Sequence, residues 1–170
     1  MSAASVLGTV KLEIQGLGII FYSPFAAARV KEGEDYLSSH YSNAEDVGPH
    51  IRSGTIVGFG TGSPGTFVLR FFAGYPEPET VASLEFKLRL GIEIRDGTLC
   101  VRDLYDLLQW TGACPPEQTL SLDDGFYHVT LCGAVPASGI LGDNQTILVY
   151  LNHLPAMPAL KVDGIPTLCS

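Results

Sequence analysis

The sequence predicts a mainly β fold, a two-sheet antiparallel β-sandwich with one or two short helices. Residues 83–90, Ser-Leu-Glu-Phe-Lys-Leu-Arg-Leu, alternate polar and apolar side chains, which is typical of a strand that buries one face. Shorter segments of the same kind recur along the chain, and glycine-rich turns separate them. Because 170 residues are an ordinary length for one domain, we expect a single β-sandwich domain over residues 1–170.

The other strands are predicted from apolar alternation, or from a short apolar run between two turns. The long strand extends over residues 83–94, and Arg95-Asp96-Gly97 then forms a hairpin turn that pairs it with residues 98–101. The remaining predicted strands are residues 10–14, 19–22, 55–59, 66–73, 119–122, 126–132 and 145–151.

The predicted helical content is small. Leu104, Leu107 and Leu108 have helical spacing and follow Asp103, which is suited to an N-cap, so residues 103–110 are predicted as a helix of two turns. Residues 31–53 are predicted as a long acidic loop that contains one short helix over residues 35–40. Residues 152–170 form a proline-rich C-terminal tail, which we expect to pack as extended chain.

The net charge of −8 is unevenly distributed. Residues 103–170 contain seven acidic residues and a single basic one, Lys161. An acidic surface repels phosphate backbones, which disfavours nucleic-acid binding, and it attracts basic proteins. The alternative is that the charge only keeps the protein soluble.

The sequence favours a cytoplasmic protein that does not associate with membranes. Lys11 and Glu13 interrupt the first apolar stretch, and no basic segment precedes it, so we expect no signal peptide. The long uncharged stretches contain prolines and glycines and indicate strands and turns rather than membrane spans. The four cysteines, Cys100, Cys114, Cys132 and Cys169, form no C-x-x-C motif and are expected to be reduced thiols.

No motif indicates a cofactor, a metal or a catalytic group. Residues 60–65 match G-x-G-x-x-G, but a strand follows them where dinucleotide binding needs a helix N-terminus. The four histidines lack metal-ligand spacing. His128 and Cys132 share one face of a strand but are about 13 Å apart, too far for a nucleophile and its base.

Two segments of the chain resemble a known family. Residues 120–131 consist of a strand, an acidic turn with glycine, a tyrosine and a second strand. They resemble the corresponding part of the ComJ-like competence proteins, which inhibit a DNA-entry nuclease. Residues 143–151 resemble the closing strand of the same β-sandwich. The resemblance covers about the last two thirds of the chain and implies a small β-sandwich with an inhibitory role. It assigns that role to no individual residue.

These observations predict a non-catalytic bacterial protein-binding domain, an inhibitor or immunity protein that neutralises a basic nuclease or toxin. The acidic residues expected to contact the partner are Glu32, Glu34, Asp35, Asp123, Asp124 and Asp143. Two alternatives stay open. One is a hydrolase whose loops bring His40 or His50 together with an aspartate and Cys114, and the other is a β-sandwich that binds a small ligand between its sheets.

Overall fold

The computed structural model describes residues 5–41, 43–160 and 166–168, and it confirms the predicted sheet-dominated fold. The strands it defines within these residues are β1 (Val6–Ile14), β2 (Gly18–Tyr22), β3 (Val57–Gly60), β4 (Gly65–Ala73), β5 (Phe86–Ile94), β6 (Thr98–Asp103), β7 (Thr119–Ser121), β8 (Gly125–Gly133) and β9 (Gln145–Leu154).

The strands form two sheets. The five-stranded sheet has the order β1-β4-β9-β8-β5, and the four-stranded sheet has the order β3-β2-β6-β7. Neighbouring strands are antiparallel except for β4 and β9, which are parallel and pair Phe67 with Gln145. This parallel pair is a local difference from the predicted antiparallel β-sandwich. Strands β4 and β9 can be parallel because the long chain segment between them returns to the same end of the sheet before β9 begins.

The core lies between the two sheets and contains the apolar faces that alternation predicts. Phe67, Leu69 and Phe71 on β4 are all completely buried. Phe21 of the four-stranded sheet contacts Phe71 across the core, with their ring centroids 5.9 Å apart. It also meets Phe59 of the neighbouring strand edge to face at 5.4 Å.

The predicted acidic loop over 31–53 contains two helices rather than one. Helix α1 (Tyr36–His40) matches the expected short helix, whereas α2 (Ala44–Ser53) was not predicted. The side chain of Asn43 accepts the N–H of Asp46 at 2.9 Å, and Gly54 ends the helix with a φ of 69°. Gly48 and Pro49 inside α2 weaken the helical signal of the sequence. The tertiary structure favours the helix because its Val47 and Ile51 are buried in the core.

The segment predicted as an α-helix over 103–110 is a 3₁₀ helix at Leu104–Leu108. Asp103 is its N-cap, as expected, and accepts the N–H of Tyr105 at 3.0 Å. In a 3₁₀ helix, residues three apart lie on the same side, so Leu104 and Leu107 are buried and Leu108 is 41% exposed. Two further 3₁₀ helices occupy Pro24–Ala27 and Pro116–Gln118.

The strand predicted over 83–94 starts later than expected, at Phe86. A short helix, α3 (Pro78–Ser83), occupies the residues before it. Pro78 stands in the first turn of α3, where its missing N–H costs no hydrogen bond.

The described part of the C-terminal tail packs against the sandwich. Met157 and Pro158 lie over Gly91 of β5, where a Cβ atom would be 2.6 Å and 2.8 Å from their side chains. Gly60 at the end of β3 donates its N–H to Pro166 O at 2.7 Å and accepts the N–H of Leu168 at 2.9 Å. The tail residues 161–165 and 169–170 lie outside the described residues. In the described part of the chain, no helix has the length and apolar character needed to cross a membrane.

Candidate functional site

An open cleft of about 720 Å³ lies at one end of the sandwich. The turn between β7 and β8 forms one wall and contributes Asp123 and Asp124, which are both exposed. The end of β9 forms the opposite wall and contributes Asn152 and His153. Two carboxylates that were predicted to contact a partner therefore stand at the mouth of a concave surface.

The backbone around this cleft fixes the position of the acidic turn. The N–H of Gly97 donates to Asp124 Oδ1 at 2.8 Å, which ties the turn to the β5–β6 hairpin. The hydroxyl of Tyr127 donates to Asp123 O at 2.7 Å. Burial, together with the charges of Asp123 and Asp124, raises the pKa of Tyr127, so this hydroxyl stays protonated and donates. Gly125 leaves room for His153, because a Cβ there would be 2.2 Å from His153 Nε2.

The charge around the cleft is negative. Neither lysine nor arginine is among the described residues that line it. Asp96 is exposed on the β5–β6 turn beside Gly97, and it adds a third carboxylate that the sequence analysis did not single out. Its position in a hairpin turn was visible in the sequence, but its proximity to Asp124 depends on the contact between the two turns. We call Asp96, Asp123 and Asp124 the acidic end.

Arg95, the residue before Asp96, forms its ion pair with Glu93. Arg95 Nε binds Glu93 at 2.7 Å, and its guanidinium lies over the ring of Phe25, 4.4 Å from the centroid. Its charge is therefore already matched by Glu93.

The predicted acids Glu32 and Glu34 of the 31–53 segment line two different clefts. Glu32 accepts the N–H of Gly112 at 2.6 Å, and Glu34 accepts the N–H of Lys31 at 3.0 Å. Glu32 lines its cleft together with Thr98, the residue after Gly97. This cleft and the cleft at the acidic end therefore flank the start of β6.

Asp35 has a structural role as the N-cap of α1. Its carboxylate accepts the N–H of Ser38 at 3.0 Å and the hydroxyl of Ser38 at 2.7 Å. The backbone hydrogen bond and then the side-chain hydrogen bond from Ser38 lower the pKa of Asp35. An exposed carboxylate that is ionised and fixed in this way can still accept further hydrogen bonds from a partner.

Asp143 lies at the opposite end of the five-stranded sheet. Strand β9 follows it and runs antiparallel to β8, pairing Ile147 with Gly133 and Leu154 with Phe126. Because this ladder has eight residue pairs, its two ends are about 24 Å apart. The structure therefore does not bring Asp143 together with Asp123 and Asp124.

The groups considered for a hydrolase lie in two different clefts. His50 Nε2 is 3.0 Å from the hydroxyl of Tyr36, and its Nδ1 is 3.3 Å from Thr55 Oγ1. His50 lines a cleft with Glu34, whereas Cys114 lines the cleft that contains Glu32. The side chain of His40 is outside the described part of the structure. No group of three or more histidine, cysteine, aspartate or glutamate side chains suited to a metal ion occurs among the described residues.

Comparisons with known proteins identify similar folds. No protein-family model matches the chain, and no curated protein sequence matches it significantly. The crystal structure of ComJ from Bacillus subtilis, inhibitor of the DNA degrading activity of NucA, is similar with a TM-score of 0.55 and 13% identity. That match covers 90% of this chain and 100% of ComJ. The protein titled crocagin biosynthetic gene J matches with a TM-score of 0.55 and 14% identity, over 88% of this chain and 98% of its own.

At such low identity these matches show a shared fold alone. They confirm, at that level, the resemblance to ComJ-like proteins that residues 120–131 and 143–151 indicated.

Proposed function

We propose that this chain is a non-catalytic bacterial binding protein of the inhibitor type, which neutralises a basic nuclease or toxin. The observation that carries the proposal is the acidic end, where the exposed carboxylates of Asp123 and Asp124 line an open cleft that no described lysine or arginine lines. The shared fold with ComJ, which inhibits a nuclease, supports it.

The chemistry of a nuclease explains why an acidic surface suits this role. A protein that degrades DNA must attract the phosphate backbone, so its substrate surface is basic. Exposed carboxylates on a rigid turn can compete with phosphates for that surface, and the attraction increases the rate of encounter. Asp124 is fixed by Gly97, so little side-chain freedom is lost when a partner binds.

Glu32, Glu34 and Asp35 form the second part of the proposed contact. Glu32 lines the neighbouring cleft across Thr98, so one partner could cover both regions. Asp143 was also predicted to bind the partner, but it lies far from the acidic end. A variant at Asp143 therefore tests whether the position of the charge matters for binding. Replacement of Asp143 by lysine changes the net charge by two units, as neutralising both Asp123 and Asp124 does, and leaves the acidic end intact.

We expect the double variant Asp123→Asn with Asp124→Asn to bind its partner at least about tenfold more weakly at low salt. The asparagine at 124 can still accept the N–H of Gly97, so the turn is preserved. The difference should shrink at high salt, because screening weakens interactions between exposed charges. The measurement is the inhibition of DNA degradation by NucA, and by any nuclease that elutes with salt from the immobilised chain.

Asp143→Lys is the matched control, because it also changes the net charge by two units, and it should leave inhibition nearly unchanged. If Asp143→Lys weakens inhibition as much as the double variant does, net charge is responsible and not the acidic end. If the unaltered chain inhibits neither NucA nor a captured nuclease, the proposed inhibitory role is wrong.

A further inference from the structure

Two cysteines line one cleft on the outer side of the four-stranded sheet. Cys100 lies on β6, and it pairs with Tyr22 of β2, whose neighbour Phe21 points into the core. Cys100 therefore faces away from the core, since strand residues alternate between faces. Cys114 lies in the irregular segment between two 3₁₀ helices. Both cysteines line the cleft of about 430 Å³ that also contains Glu32.

The segment that carries Cys114 folds back onto β6 next to Cys100. Thr119 pairs with Cys100 in the β6–β7 ladder, and Gln118 Nε2 donates to Val101 O at 2.8 Å. The Cys114 sulfur is 3.9 Å from Gln118 O. Gln118 and Thr119 therefore hold the Cys114 segment against the strand that carries Cys100, and both thiols are free in this structure.

The environment makes the two thiols chemically different. The hydrogen bond from Cys100 lowers the pKa of Cys114, and the Arg102 guanidinium acts in the same direction. That same hydrogen bond, together with burial, raises the pKa of Cys100. Cys114 is also the more accessible of the two, because Cys100 is only 3% exposed. An accessible nucleophilic thiol beside a second, more buried thiol is the arrangement found in redox-sensitive pairs.

We propose that Cys114 and Cys100 form a peroxide-sensitive pair that closes an intramolecular disulfide. Cys114 first releases its proton to solvent, and its thiolate attacks hydrogen peroxide. The O–O bond breaks, Cys114 becomes a sulfenic acid, and the hydroxide that leaves takes up a proton from solvent to give one water. Cys100 then attacks the sulfenic sulfur, the S–O bond breaks, and a second water leaves with the proton of Cys100. The two thiols lose two electrons in total, and the peroxide accepts them as it is reduced to two waters.

The structure allows this closure without rearrangement of the sheet. Cys114 lies in a segment without regular secondary structure, so its sulfur can approach the fixed strand β6. Cys132 offers a contrast within the same chain. It is completely buried on β8, and burial raises its pKa, so peroxide should react with it slowly.

The test treats the reduced full chain with hydrogen peroxide, blocks the remaining thiols with iodoacetamide and maps the peptides by mass spectrometry. We expect a Cys100–Cys114 crosslink, and an oxidation of Cys114 that is at least about tenfold faster than that of Cys132. In Cys100→Ser, Cys114 should persist as a sulfenic acid that dimedone traps. Cys132→Ser is the matched control and should form the crosslink as the unaltered chain does.

Three results would overturn the inference. The first is complete alkylation of Cys100 and Cys114 after peroxide treatment of the unaltered chain, a measurement that requires no variant. The second is a crosslink through Cys132, or through Cys169 outside the described residues, in place of the Cys100–Cys114 bond. In the urea-denatured chain, peroxide should no longer favour the Cys100–Cys114 disulfide over other cysteine pairings, because the fold brings these two cysteines together. A preference that persists after denaturation would also count against the proposal.

Discussion

Replacement of Trp110 by alanine is expected to lower the free energy of unfolding by about 4 kcal/mol. Trp110 is 1% exposed, and its ring meets Tyr22 edge to face at 5.4 Å. The guanidinium of Arg102 lies over the same ring, 4.4 Å from the centroid. Truncation would open a cavity between the outer segments and the four-stranded sheet, and it would remove the aromatic surface that covers a buried cation.

Urea denaturation of the purified chain measures this effect, and two variants make the result specific. Trp110→Phe keeps an aromatic ring in place and should lose clearly less stability than Trp110→Ala. Tyr105→Ala removes another aromatic side chain, one that is 44% exposed, so its cost should be below about 1 kcal/mol. Equal losses for Trp110→Ala and Tyr105→Ala would show that Trp110 does not hold the outer segments to the sheet.

Replacement of Gly65 by alanine should also cost about 4 kcal/mol, for a different reason. Gly65 begins β4 with a φ of 140°, a conformation that side chains with a Cβ rarely adopt. A Cβ there would be 2.3 Å from Gly142 O, which already accepts the N–H of Thr66 at 2.7 Å. Because the atom in the way belongs to the backbone, no side-chain rotation relieves the contact.

Gly139→Ala is the matched control for this position. Gly139 also has a positive φ, of 78°, but no atom lies within 4 Å of its Cβ position. Gly139→Ala should therefore lower the free energy of unfolding only by the cost of placing alanine at a positive φ, about 1 kcal/mol. Thermal unfolding of both variants measures the difference, and a Gly65→Ala protein as stable as Gly139→Ala would disprove the close approach between the start of β4 and the turn before β9.

The strands could be predicted because their signal is local. Alternation along β4 requires only that one face is buried, and the predicted segment 66–73 agrees with Gly65–Ala73 within one residue. The same reasoning failed for α2. Gly48 and Pro49 disfavour a helix there, whereas caps at both ends and buried side chains stabilise it. The reasoning also failed for Leu104–Leu108, because Leu108 fits an α-helical spacing and the choice of a 3₁₀ helix depends on what packs against it.

The candidate site was predictable only as a set of residue types. Acidic side chains at 123 and 124 followed from the sequence, whereas their proximity to Asp96 depends on a hydrogen bond between residues 27 positions apart. Glu32 reaches the neighbouring cleft through its contact with Gly112, 80 positions away. The separation of Asp143 from the other acids follows from the length and direction of β8 and β9, which pattern alone does not give.

By itself, the sequence determined the mainly β fold, the faces of its strands, the acidic charge and the resemblance to ComJ-like proteins. Each of these depends on neighbouring residues or on composition. The tertiary structure decided the parallel pairing of β4 with β9, the helix α2, the grouping of the acidic end and the placement of Cys100 and Cys114 in one cleft. These depend on which distant segments meet, and that is set by the packing of the whole core rather than by any local pattern.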